Sequence, residues 1–167
     1  DGNRMYEITG LANLSRLKIL SMRNNGLTYV SGLETLSALV ELDVGGNQLT
    51  TMGDGLENLV NLRKLGVAQN QITTLDGLEP LQALDELDAR DNCIEKVREV
   101  EFLERLPLFS SLLLQGNPCS DLPFYRRRVV FRLQQLRTLD GIAVTSDDKI
   151  KAINLHGGDE SDLKHRQ

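Results

Sequence analysis

The chain has 167 residues, of which 40% are hydrophobic and 26% are charged, and its formal net charge is −5. This length and hydrophobic content predict a single domain that buries a continuous core. No apolar run approaches the roughly 20 residues that a membrane-spanning helix needs, which argues against a membrane protein.

Residues 1–16 contain part of a repeated pattern. Asn3 lies 22 residues before Asn25, and Ile8, Gly10 and Leu11 match positions in the later units. The chain therefore begins inside a repeat, without an initiator methionine or a polar N-terminal cap. We interpret this segment as a truncated N-terminal repeat in an excised piece of a longer protein.

Residues 17–116 repeat a nine-residue frame in which leucines or other apolar residues alternate before an asparagine. The asparagines recur every 22 to 25 residues, at Asn25, Asn47, Asn70, Asn92 and Asn117. This period and frame are typical of leucine-rich repeats stacked into a solenoid. We predict an α/β right-handed superhelix with a parallel sheet on its concave side and short helical turns on its convex side.

The positions of the frame have physical roles. Alternating apolar residues such as Leu42 and Val44 predict short strands with one buried face. Each asparagine amide is expected to bond to the backbone of its own and neighbouring repeats, because buried amides require partners. A Gly-Leu pair, as at Gly32-Leu33, then lets the backbone approach closely in the outer wall.

The fourth repeat is longer than the others, at 25 residues. Val100, Leu103 and Leu106 are spaced three apart, which predicts a helix of two turns that Pro107 ends. The solvent face of this helix is then formed by Glu99, Glu101 and Glu104.

Residues 117–141 are predicted to form a helical C-terminal cap. Its helix covers the last repeat with Val129, Val130, Leu133 and Leu136, and Leu139 adds a last short strand. In residues 142–167, we predict a short helix that Thr145 or Ser146 caps and that Gly157 and Gly158 stop. Ile150 and Ile153 are expected to fold back on the cap, and residues 159–167 to form a mobile polar tail.

The outer-wall pattern from Ile72 to Leu81 resembles the intracellular leucine-rich-repeat subclass typified by the leucine-rich regulatory subunit of protein phosphatase 1. The cap also resembles that subclass, with its Asn-Pro start, Tyr125-Arg126 and a closing Leu-Asp-Gly. Relatives include the outer-arm dynein light chain, radial-spoke proteins and a spliceosomal A-prime protein. The stretch around Asp147–Asn154 is similar to the corresponding segment of ciliary proteins, one of which carries a guanylate-kinase-like domain.

The outward-pointing strand residues define a candidate partner-binding concave face. Glu41, Lys64 and Glu86 alternate in sign across neighbouring strands, which relieves repulsion. Asp43 and Asp88 lack such an explanation and flank Gly66, so we expect a shallow floor of small residues with acidic walls; the alternative is a solvated face without a partner. The candidate site comprises Arg23, Glu41, Asp43, Lys64, Gly66, Glu86, Asp88, Arg90 and Asp91.

Catalytic and metal-binding signatures are absent from the sequence. Both histidines, His156 and His165, lie in residues 142–167, and there is no phosphate-binding glycine loop or nucleophile elbow. Cys119 matches a buried apolar position and Cys93 is expected to point outward, so neither predicts a metal site. We expect a non-enzyme without cofactors, and the low cysteine content favours a reducing compartment.

Charge is uneven along the chain. Residues 1–108 carry 17 acidic and 10 basic residues, whereas residues 109–141 carry two acidic and five basic residues. The basic cap suits an acidic protein surface or phosphates. Exposed aromatic residues are not expected among the cap arginines and the repeat body repels polyanions, so nucleic acid is disfavoured. Arg126 belongs to the cap pattern and is expected to be structural.

Three functions remain open from the sequence. The first is a monomeric cytoplasmic or axonemal scaffold that docks a protein partner on its concave face. The second is a regulatory or targeting module for an enzyme such as a phosphatase, or a module fused to a kinase-like domain. The third is assembly of an RNA particle through the basic cap.

Overall fold

A computed structural model describes the backbone of residues 1–164 and the side chains of residues 1–155. One seven-stranded sheet runs the length of the stack in chain order. Its strands are β1 (Ile19–Ser21), β2 (Glu41–Asp43), β3 (Lys64–Gly66), β4 (Glu86–Asp88), β5 (Ser111–Leu113), β6 (Thr138–Leu139) and β7 (Ile142–Ala143). The first six are parallel, and β7 pairs antiparallel with β6.

The register follows the repeat frame and confirms the predicted solenoid. Leu42 pairs with Leu65, which pairs with Leu87, so each central leucine stacks on the equivalent leucine of the next strand. These leucines are buried, because alternate strand residues point to the core. The residues on either side of them consequently face outward, where they form the concave face.

The asparagines bond as the sequence predicts. In Asn47, Asn70, Asn92 and Asn117 the side-chain Nδ2 donates to the backbone carbonyl three residues earlier and to a carbonyl of the preceding repeat, at 2.7–3.1 Å. Each Oδ1 accepts a backbone N–H from the preceding repeat, donated by Leu27, Leu49, Ile72 and Ile94. The amides thereby fasten each turn to its neighbour. Asn25 makes similar bonds but is only half-buried.

The outer wall consists of tight turns. The backbone N–H of Leu36 donates to the carbonyl of Leu33, and that of Leu39 donates to the carbonyl of Leu36. This three-residue spacing is that of a 3₁₀ turn. The glycines permit close stacking of these turns. A Cβ atom on Gly55 would lie 2.1 Å from the carbonyl oxygen of Val30, so no larger residue fits there without movement of the backbone.

The insertion of the fourth repeat contains the predicted two-turn helix, and it is of the 3₁₀ type. This helix, Val97–Leu103, buries Val97, Val100 and Leu103 and ends before Leu106 and Pro107. A spacing of three residues aligns side chains along a 3₁₀ helix, which has three residues per turn.

The sequence suggested that the acidic residues of this insertion form a solvent face, but two of them have partners in the protein. Glu99 accepts hydrogen bonds from the Thr74 hydroxyl at 2.8 Å and from the Leu75 N–H at 3.0 Å. Glu101 forms an ion pair with Arg132 of the cap. The insertion therefore connects the third repeat to the cap.

The C-terminal cap covers the last repeat as predicted. A short 3₁₀ helix, Pro118–Asp121, leads to the helix α1 (Tyr125–Arg132), and Val129, Val130, Leu133 and Leu136 are all buried. Leu133 and Leu136 lie beyond the end of α1. Leu139 lies in β6, which confirms the expected last parallel strand.

Asp140 provides hydrogen-bond acceptors where the parallel sheet ends. In the repeats, the N–H of Val67 donates to the Asp88 carbonyl of the next strand, and that of Ala89 donates to Leu113. The corresponding N–H of Leu114 donates to the Asp140 carboxylate at 2.8 Å, and the Tyr125 hydroxyl donates to the other carboxylate oxygen at 2.9 Å. Burial raises the pKa of Tyr125, which stays protonated as a donor.

The C-terminal helix corrects the predicted tail. The helix α2 (Ser146–Lys164) continues through Gly157 and Gly158 instead of stopping there, and residues 165–167 of the predicted mobile tail lie outside the described residues. Ile150 and Ile153 are 57% and 54% exposed, whereas Ala152 is fully buried. The helix packs against α1 through a small residue, so the isoleucines face away from the cap.

Arg126 connects α1 to the start of α2, as expected of a structural residue. Its guanidinium donates to the carbonyls of Leu139 and Ala143 and to the carboxylate of Asp148 at 3.1 Å. Arg126, together with the N–H and hydroxyl of Thr145, lowers the pKa of Asp148 to about 2.

We predict that replacing Asn70 with alanine lowers the free energy of unfolding by about 3 kcal/mol, because buried carbonyls and the Leu49 N–H lose their partner. Urea unfolding followed by circular dichroism measures this change. Asn61→Ala is the matched control, since the exposed Asn61 makes one convex-side bond to Ser37. The control should lose less than about 1 kcal/mol. Equal losses in the two variants would contradict the role assigned to the buried amides.

We also predict a pH-dependent contribution from Asp148. Its folded pKa lies below the ordinary value of 3.8, so its stabilising effect is present above about pH 4 and is lost as the pH falls towards 2. The difference in melting temperature between the wild type and Asp148→Asn should be constant near neutral pH and shrink over that interval. Asp147→Asn is the control, because Asp147 forms only an exposed pair with Lys151. A difference for Asp148→Asn that does not vary with pH would refute this assignment.

Candidate protein-binding face

The structure brings most of the predicted site residues together in one open groove on the concave face. Glu41, Asp43, Lys64, Gly66, Glu86 and Asp88 all line it. Arg23, Arg90 and Asp91 lie outside its lining. The groove crosses the five strands from β1 to β5, so its length follows the solenoid axis.

The first residues of β2, β3 and β4, which are Glu41, Lys64 and Glu86, lie side by side on the concave face and carry the predicted alternation of charge. The Lys64 Nζ lies 3.9 Å from a carboxylate oxygen of Glu41 and 3.8 Å from one of Glu86. One ammonium group is therefore shared by two carboxylates on neighbouring strands. All three side chains remain more than two-fifths exposed and accessible to a partner.

Asp43 does have a basic neighbour, so the prediction that it lacks a charge partner is wrong. The Arg23 guanidinium reaches it from the preceding repeat, with Nη1 at 3.0 and 3.1 Å from the two carboxylate oxygens. The N–H of Gly45 also donates to this carboxylate at 2.9 Å. Comparing the charges of directly paired strand residues does not predict this ion pair, because Asp43 is the last residue of β2 whereas Arg23 lies beyond the end of β1.

Asp88 is neutralised in a second way. Arg90 of the same repeat donates through Nε and Nη2 to its two oxygens, at 2.9 and 2.8 Å, and its backbone N–H donates as well. Partial burial raises the pKa of Asp88, but the bonds from Arg90 outweigh it, so this pKa lies below its usual value. The walls of the floor are therefore not acidic as expected, because each aspartate is paired with an arginine.

The predicted floor of small residues lies between these pairs. A Cβ atom on Gly66 would lie 3.0 Å from the Asp43 carboxyl carbon, and one on Gly45 would lie 2.6 Å from the Arg23 Nη1. Because Gly45 and Gly66 have no side chains, they leave the space that the Arg23-Asp43 pair occupies. Ala68 completes the floor and is 6% exposed.

Asp91 occupies a position with a structural constraint, immediately before a repeat asparagine. At this position all five repeats adopt a left-handed backbone conformation, with φ between 56° and 79°: Asn24, Gly46, Gln69, Asp91 and Gly116. Glycine, asparagine and aspartate tolerate this region best. The side chain of Asp91 also lies against Gly116, where a Cβ atom would come 2.0 Å from its Oδ1. The turn thus accounts for the residue type at position 91.

Two apolar residues at the ends of the groove were not among the predicted site residues. Ile19 is 64% exposed at the β1 end, and Leu113 is partly exposed on β5. Their outward strand positions in the repeat frame were a usable signal, because polar residues fill most equivalent positions. They give the groove apolar ends around a charged centre.

The cap places its arginines in different environments. Arg126 and Arg132 form ion pairs with Asp148 and Glu101. Arg127 lies over the ring of Phe124, which is 58% exposed, so the expectation of no exposed aromatic among the cap arginines is wrong.

The cysteines lie as the sequence predicts. Cys119 is buried, which raises the pKa of its thiol to about 11, and Cys93 is exposed. A high pKa keeps Cys119 in the unreactive thiol form. Within the described part of the chain, the acidic residues, histidines and cysteines form no group suited to hold a metal ion. No helix in that part has the length and apolar character to cross a bilayer.

No family model matches the chain. Dynein axonemal assembly factor 11 from Trypanosoma brucei brucei is 35% identical over 136 residues, which cover 81% of this chain and 30% of that protein. The mouse protein of the same name is 33% identical over 76 residues, which cover 46% of this chain and 16% of that protein. Leucine-rich repeat-containing protein 23 from Xenopus tropicalis is 38% identical over 74 residues, covering 44% of this chain and 21% of that protein. The chain thus spans less than a third of these relatives.

Solved structures agree on the fold. A chain of the Drosophila melanogaster SNF/U2A' complex superposes with a TM-score of 0.81 at 23% identity, covering 90% of this chain and 92% of that chain. An internalin from Listeria monocytogenes gives a TM-score of 0.68 at 29% identity, covering 86% of this chain and 40% of that one. The chain is a leucine-rich-repeat protein, and its sequence is similar to those of axonemal assembly proteins.

Proposed function

We propose that this chain is a non-catalytic protein-binding module that docks a protein partner on its concave face during the cytoplasmic assembly of ciliary or axonemal complexes. The similarity to dynein axonemal assembly factor 11 from mouse and trypanosome supports the cellular role. The chain spans only part of those relatives, and the chemistry of the concave face itself indicates the class of partner.

The arrangement of charges along the groove supports this proposal most strongly. Two arginine-aspartate pairs, Arg23-Asp43 and Arg90-Asp88, flank a floor of small residues, and their geometry is set by backbone and side-chain hydrogen bonds. Side chains held in place before binding lose less conformational entropy when a partner arrives. The face thus offers oriented donors and acceptors at low entropic cost.

The remaining charge selects the class of partner. The candidate site contains five carboxylates and three basic groups, so two negative charges remain. Lys64, which bridges Glu41 and Glu86, leaves one of these carboxylates in excess. A partner that presents basic side chains to Glu41 and Glu86 gains complementary contacts, whereas a polyanion is repelled.

The apolar ends define the size of the partner surface. Ile19 lies on β1 and Leu113 on β5, four strand spacings apart, which corresponds to about 19 Å. A protein segment spans this distance and contacts both ends. A small metabolite is a poor fit, because the groove is open along this length and lacks an enclosed pocket.

We predict that exchanging the residues of one ion pair abolishes partner binding without unfolding the repeat. Asp88→Arg combined with Arg90→Asp keeps an ion pair and the net charge but reverses the pattern that a partner meets. The tagged wild-type and exchanged chains are expressed in ciliated cells, and cytoplasmic proteins that bind them are quantified by mass spectrometry. A partner of the wild type should be lost from the exchanged chain, with purified components reproducing the loss.

The matched control exchanges an ion pair outside the groove, Glu101→Arg with Arg132→Glu. This control should retain the partner, and melting temperatures should show that both exchanged chains are folded. If the concave exchange retains the same partners as the wild type, the concave face is not the docking surface.

A further inference from the structure

Phe124 is the strained residue of the cap. It immediately precedes α1 and has a left-handed φ of 59°. The other non-glycine residues with positive φ are polar, namely Asn24, Gln69, Asp91 and Asp140. A bulky residue in this region is a conformational outlier, and such strain concentrates at functional sites.

The side chain of Phe124 is not compensated by burial. It is 58% exposed, and the neighbouring Leu122 is 38% exposed. Both lie in the loop between the Pro118–Asp121 helix and α1, with the exposed Pro123 between them. The loop therefore presents a contiguous apolar stretch to solvent, at a position where a polar residue would fit the backbone better.

Arg127 and Arg128 follow this stretch at the start of α1. The Arg127 guanidinium carbon lies 5.7 Å from the centre of the Phe124 ring, within the range of a cation–π contact. Arg128 follows on the same helix. Among residues 1–155, no side chain forms an ion pair with either arginine. The positive charge of Arg127 beside the exposed ring thus remains available to an incoming anion, and the half-buried Arg128 adds a second positive charge at the next position of α1.

We propose that Leu122, Phe124, Arg127 and Arg128 form a second docking surface, the cap patch, which binds an acidic protein segment that carries an apolar side chain. Charge complementarity selects the acidic residues of the segment, and the exposed ring and leucine receive its apolar side chain. The only acidic residues of the cap are Asp121 and Asp140, and Asp140 is already bonded to Tyr125 and Leu114. This surface is separate from the concave groove, whose excess charge is negative.

A protein segment fits the cap patch better than RNA does. Arg127 covers one face of the only exposed aromatic ring in the cap, which leaves a single face for base stacking. Sequence-tolerant binding of single strands uses several stacking aromatics along a basic groove. The repeat body next to the cap has a net charge of −7 over residues 1–108, which opposes a polyanion.

The test measures binding of the whole chain to immobilised synthetic peptides that carry several Asp or Glu residues around one Leu or Phe. Peptides with Asn and Gln in place of the acids, and peptides with Ala in place of the apolar residue, serve as references. We expect the acidic apolar peptides to bind the wild type, and Phe124→Asn and Arg127→Gln each to weaken binding by about tenfold.

Phe124→Asn also separates binding from folding. Asparagine tolerates the left-handed region, so this variant should melt at a higher temperature than the wild type while it loses the peptide. Leu108→Asn and Arg63→Gln are the controls, because they alter an exposed leucine and an exposed arginine elsewhere and should leave binding unchanged.

Three results would overturn the proposal: no peptide of the acidic class binds, Phe124→Asn binds as well as the wild type, or a single-stranded oligouridylate binds through Phe124 in preference to the peptides.

Discussion

The buried asparagine amide is the interaction on which the rest of this molecule depends. Each of the four buried amides bonds to carbonyls of its own repeat and of the preceding one, and accepts an N–H from the preceding repeat. A parallel sheet of three-residue strands has few ladder bonds of its own, so the amides add contacts between repeats at the point where each strand ends. The stack is thereby fixed in register, because a shift of one repeat against another would leave buried polar groups unpaired.

The same constraint shapes the concave face. The residue before each asparagine is forced into a left-handed turn, which explains the asparagine, glycines and aspartate found at four of the five positions, Gln69 being the exception. The residues two positions before each asparagine then project beside the strand, where Arg23 and Arg90 reach the aspartates. The ion pairs of the groove consequently have fixed positions because the turns have fixed positions. A partner meets a face whose charges are already oriented.

The repeat register could be predicted from the sequence because it depends on local spacing. The period placed Leu42, Leu65 and Leu87 on one buried line, and it identified the cap and its last strand. The partners of the charged side chains could not be predicted from this spacing. Arg23 pairs with an aspartate of the neighbouring repeat, whereas Arg90 pairs with one of its own repeat. The two glycines of α2 were also misinterpreted, because glycine weakens a helix without necessarily ending it. Phe124 was missed because its left-handed conformation is a property of the backbone, and the sequence shows only an ordinary apolar residue.

The two exposed surfaces have opposite character. The concave groove has excess negative charge, whereas the cap patch combines an apolar loop with arginines, so the two docking surfaces that we propose would bind protein segments of opposite charge. Both surfaces depend on a rigid stack between them. The relative placement of the two surfaces therefore depends on the buried asparagines.

Amide hydrogen exchange measures how strongly the stack depends on these asparagines. The backbone N–H groups of Leu27, Leu49, Ile72 and Ile94 donate to buried asparagine oxygens, whereas those of Gly32 and Gly77 donate to exposed carboxylates. We predict that the first four are among the slowest amides of the protein to exchange, since they open only when the stack opens. Exchange of these four at rates close to those of Gly32 and Gly77 would contradict that dependence.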